Sequence, residues 1–296
     1  LWLVQPNSLN ETDRYILQQL RLPRIALSFL VGVSLATAGL TLQSLFRNPL
    51  VDPFVIGVSG GGALGAGMAI LFQIPPLWFG VSTLPIFAFM TALLTMYSVY
   101  RLGTLQGHIY IERLLLAGVA MSSVSSSLLS LVLVIKGEGM EAVVYWIMGS
   151  FAGKTWEEVF LLIPFLILGV LMLLIHLKGL NSFQLGEEGA YHLGLSVQQL
   201  KIHVLCATTL LSAAVVSVSG VIGFIGLIVP HISRFIVKNS DIRVVFTINL
   251  FIGGILLMLA DALSRNLLAN QEIPVGIFTA LLGVPFFLWL LLRSKT

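Results

Sequence analysis

Eight long apolar runs occupy most of this chain and decide what it can fold into. They lie near residues 25–45, 54–72, 78–100, 114–135, 158–177, 202–237, 244–264 and 273–292. The hydrocarbon core of a bilayer requires about 20 apolar residues in a helix, so these runs are long enough to cross it. Only 10% of the 296 residues are charged, against about a quarter in soluble domains. We therefore predict an all-α polytopic membrane protein that forms a single transmembrane domain over residues 1–296.

The run at 202–237 is too long for one span at ordinary tilt. It is interrupted by three glycines and one proline: Gly220, Gly223, Gly226 and Pro230. The sequence therefore predicts two helices here, about 202–219 and 223–237, joined by a glycine turn. This division gives nine spans, which places the two chain ends on opposite faces of the membrane.

Lysine and arginine are divided unequally between the two faces that nine spans define. Ten of the 16 lie on the face of the C-terminus and six on the face of Leu1, whereas the acidic residues favour the face of Leu1. Because positively charged loops stay in the cytoplasm, we predict a cytoplasmic C-terminus and an external Leu1.

Two connections are long enough to hold structure of their own. Residues 178–201 form the one long cytoplasmic insertion, which we expect to contain two short helices broken at Gly194. A compact loop on a submerged protein suggests a docking surface, although a solvated linker is the alternative. On the outer face, residues 136–157 are expected to hold a short interfacial helix with aromatic side chains at headgroup level.

The string GSFAGKT at residues 149–155 looks like a nucleotide-binding loop but does not qualify as one. The phosphate-binding pattern needs a glycine where Met148 stands, and the string falls on the outer face. We therefore expect no ATP site in this chain. The five histidines are scattered, and no serine has a histidine and a carboxylate nearby in sequence, so we predict neither a metal site nor a catalytic centre.

Two features of the spans concern packing. Gly57, Gly61 and Gly65 are spaced four apart, which predicts one helix face that a neighbouring helix approaches closely. Asp261 lies inside a late span, where a carboxylate is either functional or paired. Arg265 follows at i+4, and we favour a structural ion pair between these two residues.

Several strings closely resemble the permeases of ABC importers for iron-siderophore, haem and cobalamin uptake. They include LRLPRIALSFLVGVSLATAG and RNPLVDPFVIGVSGGGALG within 20–65, RLLLAGVA at 113–120, YWIMGSFAG at 145–153, LGEEGAYHLGLS at 185–196, GVIGFIGLIVPHISR at 220–234 and LADALSR with EIPVGIFTALLGVPFFLWLL within 259–291. The resemblance covers nearly the whole chain.

The resemblance implies a homodimer in the bacterial inner membrane, with a translocation path on its two-fold axis. Two cytoplasmic ATPase subunits, which use ATP and Mg²⁺, and an external substrate-binding protein complete the importer; this chain itself binds no cofactor. The cargo would be an iron-siderophore, haem or cobalamin, or a related small species such as molybdate. The family has ten helices per subunit, and its first helix would precede Leu1.

The resemblance also assigns site residues by position. The cytoplasmic gate maps to Asn48, Leu50, Ile111 and Glu112; ATPase coupling maps to Glu187, Glu188, Ala190 and Gly194; binding-protein docking maps to Arg21, Arg24 and Arg265. Two alternatives stay open: Glu112 pairs with Arg113 or turns to solvent instead of facing its two-fold mate, and the arginines serve as headgroup anchors and as the partner of Asp261. An ion-coupled secondary transporter remains the alternative function.

Overall fold

The computed structural model describes residues 10–76, 82–239, 241–268 and 271–293 and is almost entirely helical. Leu1 and the C-terminal residues 294–296, whose faces of the membrane are predicted above, lie outside these residues. The described helices are α1 (Glu11–Phe46), α2 (Val58–Leu71), α3 (Thr83–Gly103), α4 (Ile111–Lys136), α5 (Met140–Ile147), α6 (Trp156–Phe183), α7 (Glu187–His192), α8 (Val197–Ser219), α9 (Ile225–Val237), α10 (Ile242–Asn266) and α11 (Val275–Arg293). One two-stranded antiparallel hairpin, β1 (Thr104–Leu105) with β2 (His108–Ile109), precedes α4.

Nine of these helices correspond to the nine predicted spans. Within the described residues, α1, α3, α4, α6, α8 and α10 are long and apolar enough to cross a membrane, and α2, α9 and α11 are shorter apolar helices. The prediction of a polytopic helical membrane protein is confirmed. The predicted division of the 202–237 run is also confirmed, because α8 ends at Ser219, Gly220 has φ +72°, and α9 begins at Ile225.

Helix α1 lies at the centre of the bundle, where it packs against α6, α8, α9 and α10. Two glycine contacts explain how closely its neighbours approach. A Cβ on Gly32 would overlap the carbonyl oxygen of Gly253 in α10, and a Cβ on Gly39 would overlap that of Gly226 in α9. The predicted glycine face is present on α2 at Gly61 and Gly65, which lie directly against α3, whereas Gly57 precedes the helix as its N-cap.

Helix α4, in contrast, is mostly exposed on the surface of the chain. Its exposed side includes large apolar residues and four serines, Ser123, Ser126, Ser127 and Ser130. The serine-rich segment therefore contributes little to helix packing inside one subunit.

The bundle has two ends that matter for function. We call the end with the β-hairpin, Arg47 and α7 the hairpin face. We call the end with Arg21, Arg24 and Arg265 the arginine face. The nine apolar helices alternate between these ends, so α1 starts at the arginine face and α11 ends at the hairpin face.

The connections differ in part from what the sequence suggests. The 178–201 insertion holds one short helix, α7, because its first residues continue α6 and its last residues begin α8. The predicted break at Gly194 is present as a left-handed residue with φ +80°. The short helix predicted within residues 136–157 is α5. The GSFAGKT string forms the turn before α6, where Thr155 and Glu158 form a capping box.

Candidate functional site

The first predicted gate segment follows the end of α1 at the hairpin face. Arg47 ends the helix in the left-handed conformation, with φ 50°. The Asn48 side-chain oxygen then accepts a hydrogen bond from the Leu50 backbone N–H at 2.9 Å. Asn48 is exposed and Leu50 is partly buried, so this turn presents a rigid polar corner at the end of the bundle.

The second predicted gate segment begins α4, directly after the hairpin. Tyr110 is the N-cap of α4, Ile111 is partly buried and Glu112 is exposed in the first turn. A cavity of about 350 Å³ lies between this segment and the end of α1, lined by Arg47 on one side and by Ile111 and Glu112 on the other. The structure therefore brings the two segments near each other, although Asn48 and Leu50 do not line this cavity.

Three of the four predicted coupling residues lie in the short helix α7, and the fourth, Gly194, follows it. Glu187 and Glu188 begin it and are exposed, whereas Ala190 is fully buried. Gly194 makes the exposed turn after the helix, and a Cβ at this position would meet no atom of the chain within 4 Å. The helix is thus fixed on its inner side at Ala190 and open on its carboxylate side.

Lys201 is a buried lysine that lies behind α7. Its place at the end of the 178–201 insertion predicts only one more cytoplasmic charge. Lys201, in the first turns of α8, donates to Glu187 and to the backbone carbonyl of Ile109 in the hairpin. Its position gave a signal: Lys201 shares a helix face with Val204 and Leu205, which are both buried. A cation within an apolar stripe is expected to have a dedicated partner.

The three predicted docking arginines have different surroundings at the arginine face. Arg21 is exposed, whereas Arg24 is buried and forms ion pairs with Asp261 and Glu272. Arg265 is partly exposed, and its Nε lies 3.4 Å from the Asp261 carboxylate. The predicted ion pair between Asp261 and Arg265 is present, but Asp261 makes its shorter contacts with Arg24, a partner that local spacing did not reveal.

The local backbone helps to present Arg21. It ends a π-helical turn, Ile16–Arg21, inside α1, and such turns are frequent at functional sites. The Trp156 indole N–H donates to the carbonyl oxygen of Gln18 at 2.9 Å, which fixes this turn to the start of α6. A cavity of about 660 Å³ lies beside it, lined by Arg21, Arg24 and Arg265 among other residues.

Within the four described ranges, no three His, Cys, Asp or Glu side chains lie close enough together to hold a metal ion. The hairpin face exposes the two carboxylates of α7, and the arginine face exposes Arg21. Nine apolar helices run between these two ends, which defines a multi-pass helical membrane protein.

Comparison with known proteins places the chain within that class. The sequence pattern of the FecCD transport family matches residues 2–293. The cobalamin import system permease protein BtuC of Halobacterium salinarum is 40% identical over 95% of this chain and 74% of its own length. The hemin transport system permease protein HmuU of Yersinia pestis is 39% identical over 97% of this chain and 86% of its own.

A solved structure gives the same result. A metal-chelate type ABC transporter in an inward-facing conformation matches with a TM-score of 0.84 and 34% identity, over 97% of this chain and 90% of that one. This chain therefore belongs to the FecCD transport family of ABC transporter permeases.

Proposed function

We propose that this chain is the permease subunit of an ATP-driven, binding-protein-dependent importer in the bacterial inner membrane. Its cargo is a metal chelate, namely an iron-siderophore, haem or cobalamin, or a related small species such as molybdate. The observation that carries the proposal is the hairpin face, where α7 exposes two carboxylates beside two gate segments. The two relatives are named for cobalamin import and hemin transport, which supports the choice of cargo class.

In this proposal the hairpin face, with the C-terminus, is cytoplasmic. Helix α7 enters a cleft of the ATPase subunit, which binds ATP and Mg²⁺, and the permease chain itself hydrolyses nothing and binds no cofactor. Glu187 and Glu188 face the ATPase, Ala190 seats the helix on the permease, and the turn at Gly194 leaves room for the partner. A short helix fixed on one side suits the transmission of a rigid-body movement.

The functional unit is a homodimer whose two-fold axis runs along α4. A face with four exposed serines is poorly matched to lipid tails, whereas small polar residues suit a helix interface or a translocation path. Across this axis, Ile111 and Glu112 approach their mates, and Asn48 and Leu50 close the same opening from the end of α1. Two facing Glu112 carboxylates repel each other unless they are separated or protonated.

The arginine face is the external docking surface for the binding protein. Arg21 and Arg265 carry the charges that are open to a partner, and the dimer presents them twice, once for each lobe. Arg24 supports this surface from below, because its guanidinium is held by Asp261 and Glu272.

An ion-coupled secondary transporter is the second candidate, and the pairing of Asp261 argues against it. Asp261 is buried within a span, where ion pairs with Arg24 and Arg265 already neutralise it. A coupling-ion site needs a carboxylate that is free to gain and lose its ion.

Reconstitution tests the proposed function. The permease dimer, its ATPase and its binding protein are placed in proteoliposomes and assayed with radiolabelled cyanocobalamin, haemin, a ferric hydroxamate and molybdate. We expect uptake of one probe that requires ATP and persists when ionophores collapse all ion gradients. Uptake that follows an ion gradient without ATP, or no uptake of any probe with ATPase activity unaffected by the binding protein, would contradict the proposal.

A further inference from the structure

Lys201 is a buried lysine whose ammonium lies between α7 and the β-hairpin. Its side chain is only 2% exposed. The Nζ atom lies 2.5 Å from Glu187 Oε1 and donates to the Ile109 carbonyl oxygen at 2.8 Å. An unpaired buried ammonium is strongly unfavourable, so these two acceptors and Lys201 hold one another in place.

The hairpin end is attached to α8 through both backbone polar groups of one residue, Ile109. The Ile109 carbonyl accepts from Lys201, and the Ile109 N–H donates to the Gln198 side-chain oxygen at 3.0 Å. Gln198 and Lys201 are three residues apart, so they share a face of the helix. The Ile109 side chain is itself buried, which leaves the hairpin little freedom to move without α8.

A short path therefore connects the exposed surface of α7 with the predicted gate. It starts at Glu187, the first residue of α7, whose side chain is 49% exposed. It passes through Lys201 to the Ile109 carbonyl and reaches Ile111 two residues later. Charge-assisted hydrogen bonds are short and strong, and burial of the Lys201 ammonium limits the screening of its contacts by salt. Two hydrogen bonds and two residues of backbone therefore link α7 to Ile111.

We propose that Lys201 is a positioning residue, which transmits the displacement of α7 to the gate segment at Ile111 and Glu112. The inference rests on the proposed function, because it requires α7 to contact the ATPase and the start of α4 to form the gate. A displacement of α7 that left Lys201 behind would separate a buried charge from its counter-charge. Lys201 and the hairpin therefore follow Glu187 when the ATPase moves α7.

Nucleotide-dependent crosslinking at position 111 tests this linkage. Cys206 is the single native cysteine, so the substitutions Cys206→Ser and Ile111→Cys create a reporter with one thiol per subunit. The dimer with its ATPase in proteoliposomes is crosslinked across the two-fold axis with and without ATP. We expect the ATP-dependent change in crosslinking to fall at least about fivefold in Lys201→Met, the lower end of typical site-to-site coupling, while ATP hydrolysis continues.

Two further variants separate transmission from simple structural support. Glu187→Gln keeps the size of the side chain and a hydrogen-bond acceptor but removes the charge, so we expect a smaller loss in the same direction. It also serves if Lys201→Met does not fold. Because Lys201 acts through Glu187, the double variant is expected to lose no more than Lys201→Met alone. Arg243→Met is the control for charge removal at the same face, since it breaks an exposed ion pair with Asp241 and should leave the response unchanged.

The outcomes distinguish the linkage from the proposed function. If the reporter with native Lys201 shows no crosslinking in any nucleotide state, the gate assignment fails, and the linkage fails with it. If the reporter responds to ATP equally with native Lys201 and in both Lys201→Met and Glu187→Gln, the linkage alone is wrong and the importer proposal stands. Equal losses in Lys201→Met and Arg243→Met would also overturn it, because both would then report a general loss of stability.

Discussion

Arg24 and Asp261, which lie 237 positions apart, are joined by a bidentate ion pair at the arginine face. Arg24 Nε lies 3.2 and 3.0 Å from the two carboxylate oxygens, and Nη2 lies 2.9 Å from Oδ1. Nη1 contacts Glu272 Oε2 at 2.7 Å. One guanidinium thus connects α1, α10 and the segment before α11. Its charge is used inside the subunit, so among the three predicted docking arginines only Arg21 and Arg265 have exposed side-chain surface for a partner.

The first prediction concerns the stability of this ion pair. Asp261 is 1% exposed, and Asp261→Asn leaves the Arg24 guanidinium with Glu272 as its remaining charged partner. Breaking a buried pair on one side costs about 3–5 kcal/mol when the remaining charge has no partner. Because Glu272 still pairs with Arg24, we expect a cost toward the lower end of this range, measured by unfolding of the detergent-solubilised protein. The control is Lys154→Met, which removes the looser pair with Glu158 and should cost about 0–1 kcal/mol. A cost for Asp261→Asn no larger than that of the control would show that the pair adds nothing.

The second prediction concerns the predicted docking arginines, which differ in exposure: Arg21 is exposed and Arg24 is buried. If Arg21 receives an acidic group of the binding protein, Arg21→Glu places two negative charges opposite each other, which costs several kcal/mol. This substitution should therefore weaken the affinity for the binding protein about tenfold or more. The loss should shrink as salt rises. Arg14→Glu makes the same change in net charge at the exposed start of α1 and should have little effect.

Titration of the permease dimer with labelled binding protein at two salt concentrations gives both affinities. Equal losses for Arg14→Glu and Arg21→Glu would mean that net charge alone attracts the partner. Arg24→Gln, in contrast, is expected to lower the thermal stability of the permease more than Arg21→Glu does, because Arg24 is buried in ion pairs.

The helical framework follows from local sequence because its signals are local. Apolar runs of bilayer length specify the spans, and the glycines at 220–226 specify the turn inside the longest run. The capping box of Thr155 and Glu158 is equally local, since both residues lie within one turn. These features need no knowledge of what lies across the bundle.

The partners of the buried charges do not follow from local sequence. Arg24 contacts Glu272 across 248 positions and Lys201 contacts Ile109 across 92. No periodicity relates such residues, because the packing of distant helices brings them together. Local spacing found the weaker partner of Asp261, Arg265 at i+4, and missed the stronger one. Local sequence also places Lys201 among the charges of the 178–201 insertion, although Lys201 is buried in the core.

The third prediction concerns pH. Asp241 is the N-cap of α10, and hydrogen bonds from Arg243 and then from Asn181 hold the pKa of its carboxyl well below its usual range. A depressed carboxyl pKa adds stability above the pKa of the unfolded state, about 3.9, and this stability is lost as pH falls toward the folded-state pKa. Melting temperatures of the native protein and Asp241→Asn should therefore differ by a constant amount above about pH 5 and converge below about pH 4. If the difference in melting temperature is the same above about pH 5 and below about pH 4, ionised Asp241 does not contribute this pH-dependent stability.

The fourth prediction concerns Gly194, the turn that follows α7. Gly194 has φ +80°, and a Cβ there would meet no atom of this chain within 4 Å. A substitution therefore costs about 1–2 kcal/mol of backbone strain but causes no clash inside the subunit. If the open space belongs to the ATPase, Gly194→Trp should lower the cargo moved per ATP hydrolysed far more than it lowers stability. Gly194→Asn should do much less, because asparagine is small and tolerates the left-handed region.

Gly137 provides the matched control, because its φ is +69° and a Cβ there would also meet nothing within 4 Å. It ends α4 at the arginine face, away from α7. Gly137→Trp carries the same backbone strain and the same added bulk, so it should match Gly194→Trp in stability and leave the ratio of transport to hydrolysis unchanged. Uptake and ATPase activity measured on the same proteoliposomes give that ratio. If Gly194→Trp assembles with the ATPase and transports as efficiently as Gly137→Trp, the space beside Gly194 is not where the ATPase engages the permease.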